Sequence, residues 1–265
     1  MNNIVIGRYL PNDSIMHKLD PRTKLISMFI LMITIFIPSG VIGYIFVGSA
    51  LVIATILSKL NLSYIWKAIK PMIFMLFFLF IINALMLREG DLLINIFGFK
   101  IYEQAASQTL YIVVRIVLMI LCATILTATT KPLELTVGLE DIFKPLKIIK
   151  FPYAEMAMML SIALRFIPLL VEETQRIIKA QASRGVDISE GSIKEKISSV
   201  IALIVPLFIS SFQKASDLAD AMEARGYMPG EPRTRYHQLK MTMTDYSVLS
   251  IVMLLLLANI YLAFI

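Results

Sequence analysis

The stretch LYIVVRIVLMILCATILTA, from Leu110 to Ala128, is broken by a single charge, Arg115. A helix needs about 20 predominantly apolar residues to cross a hydrocarbon core of about 30 Å. This stretch therefore predicts a membrane span. Similar apolar runs lie on both sides of it: Leu25–Ile37, Val41–Leu57, Pro71–Leu87 and Tyr246–Ile265. The first is short and stops at Pro38-Ser39-Gly40, so Thr23, Lys24 and the turn must contribute to its span. Pro71 suits a first helical turn, where its missing N–H costs nothing.

Composition supports the same architecture. Hydrophobic residues make up 58% of the 265 residues and charged residues 17%, against about 45–50% and about 25% in soluble domains. A water-soluble globular fold does not suit these proportions, and disorder requires low hydrophobicity. Met1–Lys24 is too long and too acidic for the charged start of a signal peptide, so the first span is expected to be retained.

The charges between the runs give an orientation. Arg8, Lys18, Arg22 and Lys24 precede the first span, and Lys59, Lys67 and Lys70 follow the second without an acidic residue. Glu89, Asp91 and Glu103 outweigh Arg88 and Lys100 after the third. Positive loops stay in the cytoplasm. The amino terminus and the 59–70 loop are therefore expected inside, and the 88–109 loop outside.

The segment 130–243 has another character. It holds 15 basic and 13 acidic residues, well over half of all charges. Two long helices are predicted, Tyr153–Ser183 and Ser192–Ala224. Each begins very apolar, passes a proline (Pro168 or Pro206) and then turns amphipathic. On the second, Phe208, Phe212, Ala215, Ala219 and Met222 recur at helical steps, and Gln213, Lys214, Asp217, Asp220 and Glu223 fall mainly between them. On the first, the stripe is Ile167, Leu170, Val171, Thr174, Ile177, Ile178 and Ala182. Glu155 and Arg165 flank only a short apolar core, and a charge at a helix centre costs about 2.5–3.5 kcal/mol on insertion. These helices are therefore expected at the inner membrane surface, partly embedded. The fold class is all-α: a polytopic membrane protein with four spans in 1–129, a cytoplasmic or inner-surface module of two long helices in 130–243 and a last span in 244–265.

The two helices also resemble each other. Pro168-Leu169-Leu170 leads to Gln175-Arg176, and Pro206-Leu207-Phe208 leads to Gln213-Lys214. Each helix ends in a small residue followed by Arg-Gly: Ser183-Arg184-Gly185 and Ala224-Arg225-Gly226. Glycine just past a helix end takes the left-handed conformation of a C-cap, and a cation in the last turn meets the negative end of the dipole. Capping alone explains part of this. A guanidinium at a helix tip is also placed to reach outward and grip a carboxylate with two parallel bonds. Two such tips suggest docking to two related partner surfaces.

With these features the chain resembles the transmembrane coupling (T) component, CbiQ-like, of energy-coupling factor ABC transporters. The resemblance covers nearly the full length. It rests on Leu19-Asp20-Pro21-Arg22-Thr23-Lys24, on Arg165-Phe166-Ile167-Pro168, on the paired tips, and on Ala221-Met222-Glu223-Ala224-Arg225-Gly226-Tyr227. Ser183 stands where the motif often has Ala. The resemblance implies a multi-pass subunit of the cytoplasmic membrane with its amino terminus inside. It implies partnership with two ABC ATPase subunits and with a small substrate-binding membrane (S) subunit for vitamins or other micronutrients. It implies that Ser183, Arg184, Gly185, Ala224, Arg225 and Gly226 dock the ATPases. ATP and Mg would bind to those partners, with no cofactor, metal or catalytic residue in this chain.

Other readings fare less well. No Gly-x-x-x-x-Gly-Lys-Ser/Thr loop occurs, so a nucleotide site must come from another chain. Glu172-Glu173-Thr174-Gln175-Arg176 approaches the Glu-Glu-x-x-x-Arg signature of intramembrane proteases, but is one residue short and lacks a later helical His. A stand-alone secondary transporter or channel usually carries ionisable residues or broken helices at mid-membrane, and few occur here. The single cysteine, Cys122, excludes an internal disulfide, and His17 and His237 lie far apart in sequence. The mild charge of +6 does not suggest a nucleic-acid partner. Arg115 reads as a snorkelling side chain near the outer end of its span, or as a contact for the substrate-capturing partner. Asn83 and Asn259 are placed to bond across helices. The sixteen methionines are read as packing or lipid-facing residues, with an adaptable partner surface as the minority alternative. Residues Tyr227–Tyr236, with Pro229, Gly230 and Pro232, read as a loop.

Overall fold

The computed structural model describes residues 9–86, 92–96, 99–149, 152–185, 192–228 and 239–264. Most of the loop read over Tyr227–Tyr236, and the charges Arg8, Arg88, Glu89 and Asp91, lie outside these residues. The chain divides into two compact units. One comprises Met1–Asp141 and Leu239–Ile265, and the other Ile142–Gln238.

The first unit contains α1 (Ile15–Lys18), α2 (Pro21–Phe36), α3 (Gly40–Leu57), α4 (Leu62–Met86), α5 (Glu103–Thr129), α6 (Pro132–Phe143, whose last residues pass the unit boundary) and α9 (Met243–Phe264). A short antiparallel hairpin, β1 (Leu92–Ile96) and β2 (Phe99–Tyr102), precedes α5, with Ile96 opposite Phe99. It is a small addition to an all-α chain. The 88–109 segment carries β-branched and aromatic residues around Gly98, which is hairpin chemistry.

α5 packs on α2, α3 and α4, and α9 packs on α2 and α3. The core joins Ile35 of α2, Tyr44, Val47 and Leu51 of α3, and Leu118 and Cys122 of α5. Many other apolar side chains face outward, as Phe74, Leu254 and Phe264 do. A water-soluble protein would bury such residues, whereas a bilayer solvates them. Among the described residues, six helices are long and apolar enough to cross a membrane: α3, α4, α5, α7, α8 and α9. This is a multi-pass membrane protein.

α2 is the shortest of the apolar helices expected to span, with 16 residues, about 24 Å at 1.5 Å per residue. α7 (Tyr153–Ser183) and α8 (Ile193–Ala224) both qualify by length and composition. α7, which contains Glu155 and Arg165, continues unbroken through Pro168.

The start of α2 is tied by buried polar groups. Asp20 caps it by accepting the Arg22 N–H at 2.9 Å, with Pro21 at the first helical position. Both features favour initiation. The Asp20 N–H donates to Asp245 Oδ1 of α9 at 2.8 Å. Asp245 Oδ2 accepts the Thr242 N–H and hydroxyl, so one carboxylate serves the starts of both helices. Lys24 is buried and donates to the carbonyls of His17 (3.1 Å) and Thr129 (3.0 Å). The second is the last residue of α5, where a cation meets the negative helix end. α6 lies close by: a Cβ on Gly138 would stand 3.2 Å from the Cβ of Pro21.

In the second unit a 3-10 turn (Lys144–Ile149) leads to α7, which packs on α8. Among its described residues only Ala157 and Ser199 are buried. The apolar stripe of α8 faces outward at Phe208 and Phe212, both exposed and with their rings 4.8 Å apart. The half-buried face runs through Leu203, Leu207, Lys214 and Leu218 instead.

Candidate functional site

α8 begins with a capping box. The Ser192 hydroxyl accepts the Glu195 N–H, and the Glu195 carboxylate accepts the Ser192 N–H at 2.7 Å. Two backbone donors at the helix start are satisfied reciprocally. α8 then runs through Pro206, which has no N–H to offer the carbonyl of Ala202. Gln181 of α7 supplies the missing donor, its side-chain amide standing 3.1 Å from the Ala202 oxygen. Farther along, Lys214 Nζ of α8 lies 3.2 Å from Glu173 Oε2 of α7, both side chains about one quarter exposed.

These two pins fix the relation of the helices. Residue 181 faces 202 and residue 173 faces 214, so the chains run in opposite senses where they meet. Their carboxyl ends consequently point apart. From the Glu173–Lys214 bridge, Arg184 and Arg225 each lie eleven residues farther along their own helix. That is about 16 Å of helix for each.

Both ends close in the same way. Arg184 has φ −92° and Gly185 φ +81°; Arg225 has φ −90° and Gly226 φ +75°. Positive φ strains any residue with a Cβ. At α8 the Gly226 N–H donates to the Glu223 carbonyl (2.9 Å) and the Tyr227 N–H to that of Met222 (3.0 Å). This is the paired bonding of a Schellman cap. At α7 the Gly185 N–H donates to the Ala182 carbonyl at 3.0 Å. Ser183 turns its hydroxyl back to the Lys179 carbonyl at 3.0 Å.

The backbone carbonyls at the tips are thus answered by the caps, and the arginine side chains are not consumed in that task. Ser183, Arg184, Gly185, Ala224, Arg225 and Gly226 are all exposed. Among the described residues, neither Arg184 nor Arg225 enters a side-chain hydrogen bond or ion pair. The candidate residues form two separate tips, not one pocket. No group of three or more His, Cys, Asp or Glu among the described residues could hold a metal ion. Glu172 and Glu173 do not form a carboxylate pair: Glu172 is exposed, and Glu173 is held by Lys214.

Two arrangements were not legible in the sequence. Arg22 is chelated by Asp20, and its guanidinium also reaches Asp141 and the Leu239 carbonyl. The motif Asp20-Pro21-Arg22 signals a helix start but not its distant partners. Arg115, expected near the outer end of a span beginning at Leu110, lies three turns inside α5, which begins at Glu103. It donates to the Tyr44 hydroxyl from Nε (3.2 Å) and Nη2 (2.9 Å), and sits over the Phe36 ring.

Comparison with known proteins agrees in extent with these features. The family model described as CbiQ, cobalt transport protein, matches residues 12–236. The energy-coupling factor transporter transmembrane protein EcfT of Bacillus subtilis (strain 168) is 45% identical over 258 residues, covering 97% of each chain. The EcfT protein of Lactococcus lactis subsp. cremoris (strain MG1363) is 42% identical over 258 residues, again covering 97% of each. That of Streptococcus thermophilus (strain ATCC BAA-250 / LMG 18311) is 42% identical over 260 residues, covering 98% of each.

Proposed function

The chain belongs to the CbiQ/EcfT family of energy-coupling factor transmembrane components, and on that premise we propose that it carries ATP-driven motion from two cytoplasmic ATPase subunits to a small substrate-capturing membrane subunit. It is a non-catalytic transporter subunit, and ATP and Mg belong to the ATPases in this reading. The observation that carries the proposal is the pair of exposed guanidinium tips, Arg184 and Arg225, directed apart by one pinned helix pair. Each tip suits an acidic groove on one of two ATPase subunits, because a guanidinium fork grips a carboxylate bidentately.

The geometry suggests how motion passes. When the two ATPases approach or separate, a docked tip at either end of the α7–α8 pair is displaced. The pins at Gln181–Ala202 and Glu173–Lys214 make the pair respond as one body. The exposed apolar faces, including Phe208 and Phe212 of α8, offer a surface to the substrate-capturing subunit and to lipid. Coupling needs a contact that differs between the two states, since equal binding to both shifts nothing. The substrate is a vitamin or other micronutrient selected by the exchangeable partner. The lysines at 59, 67 and 70 support an orientation with the amino terminus on the cytoplasmic side of the cell membrane.

The test is co-purification and uptake with Arg184→Ala, Arg225→Ala and the double variant. Loss of the ATPases, or hydrolysis without uptake, is expected, with the double variant most affected. Wild-type co-purification and uptake in the double variant would sink the proposal.

A further inference from the structure

Unit one hands the chain to unit two after Asp141 and receives it back at Leu239. Those two residues are held by one side chain. Arg22 Nη1 lies 3.5 Å from Asp141 Oδ2, and Arg22 Nη2 donates to the Leu239 carbonyl at 2.8 Å. The guanidinium is oriented from the other side by Asp20, with Nε 3.2 Å from Oδ1 and Nη2 3.3 Å from Oδ2. Asp20 is itself fixed: its carboxylate caps α2 and its N–H donates to Asp245. Asp245 in turn holds Thr242, three residues beyond Leu239. The outgoing and returning connections are thus tied to the first turn of α2 and, through Asp245, to the start of α9. The Asp20 side chain is 2% exposed, and those of Arg22 and Asp141 are about one fifth exposed. Charge-assisted bonds screened from water in this way are stronger than exposed pairs.

We propose that Arg22 is a positioning residue for transport: it holds both roots of the two-helix unit, so that displacement of α7 and α8 is delivered to α2 and α9. Without this tie, motion would be absorbed in the connections. The proposal rests on the coupling function above. It gives Arg22 a role separate from docking, since the residue is not at either tip.

The experiment uses the full complex with its ATPases and substrate-capturing subunit, reconstituted in lipid vesicles. Chain content, ATPase retention, hydrolysis and substrate uptake are measured for wild type, Arg22→Ala, Arg22→Lys and Asp141→Asn. Arg22→Ala is expected to keep its ATPases and its hydrolysis, while substrate moved per ATP falls about ten-fold or more. Asp141→Asn keeps the Leu239 contact and should lose only about two- to three-fold. Arg22→Lys should recover part of the loss, because an ammonium supplies the charge but not the fork. An unchanged transport-to-hydrolysis ratio in Arg22→Ala overturns the proposal. So does a parallel fall of hydrolysis and uptake with the amount of chain in the membrane, which marks a merely structural residue. If wild type retains no ATPase, the coupling function itself fails, and this outcome is distinct from a wild-type complex whose Arg22 variants stay coupled.

Discussion

The side-chain amide of Gln181 donates to the carbonyl of Ala202 at 3.1 Å, the carbonyl that Pro206 leaves without its helical partner. A break in one helix's bonding ladder thereby becomes the point that fastens it to its neighbour. Leaving such an acceptor unsatisfied costs about 1–3 kcal/mol where it is shielded from water. Gln181→Ala should therefore destabilise the purified chain by about 1 kcal/mol. In a Pro206→Ala background the new backbone N–H can answer Ala202, and the same substitution should cost measurably less. A double-mutant cycle on thermal unfolding in detergent checks this. Equal cost in both backgrounds would show that the amide does not serve the proline.

Much of this arrangement was legible in the sequence, and the rest was not, for definite reasons. The limits of α7 follow from its period and from Ser183-Arg184-Gly185, because a terminal glycine has a local cause. Which face of α8 packs on α7 was not readable from its apolar stripe. Phe208 and Phe212 form a clear apolar stripe, but in a membrane protein apolarity no longer says which side faces protein. The half-buried Lys214 and the pinned Ala202 mark that side instead. Arg22 was readable as part of a helix start, whereas its contacts with Asp141 and Leu239 join positions more than a hundred residues distant. No local spacing encodes such a meeting.

The caps and the arginines at the tips are separable. Gly226 holds φ +75°, and placing an L side chain there costs on the order of 1–2 kcal/mol. Gly226→Ala should fray the last turn and misdirect Arg225, weakening ATPase retention by about ten-fold or less. Arg225→Ala removes the charge outright and should weaken it more, with the cap intact. Retention measured by titrating the ATPases onto the chain in detergent distinguishes the two. If Gly226→Ala proved the more damaging, the cap geometry rather than the guanidinium would be the docking element.

Gly43 of α3 is required by close packing. A Cβ there would collide with the Ser39 side chain and stand 2.5 Å from Asn259 Oδ1. Ser39 Oγ and Asn259 Oδ1 are 2.6 Å apart, joining the start of α3 to α9. Gly43→Ala should therefore break that bond and part the two helices, at a cost of about 1–3 kcal/mol. The check is the melting temperature of the detergent-purified chain, with Gly48→Ala as the control. At Gly48 the nearest atom to an added Cβ is 3.7 Å away, and little change is expected. Equal behaviour of the two variants would refute the packing argument.

Arg115 provides the last test, because its two readings predict opposite patterns. Its guanidinium spends two donors on the Tyr44 hydroxyl and rests over Phe36, tying α5 to α2 and α3 within this chain. Bonds from a charged donor contribute about 1.5–3 kcal/mol. Tyr44→Phe removes the acceptor yet keeps the ring that packs in the core, so it leaves a half-buried cation less well satisfied. It should lower stability by about 1–2 kcal/mol, while Arg115→Leu, which removes the cation too, should cost no more than that. Neither change should alter retention of the substrate-capturing subunit if the arginine serves its own fold. Unfolding midpoints and co-purification of that subunit, measured on the same preparations, decide the matter. Normal stability with loss of the subunit in Arg115→Leu would assign the residue to the partner instead.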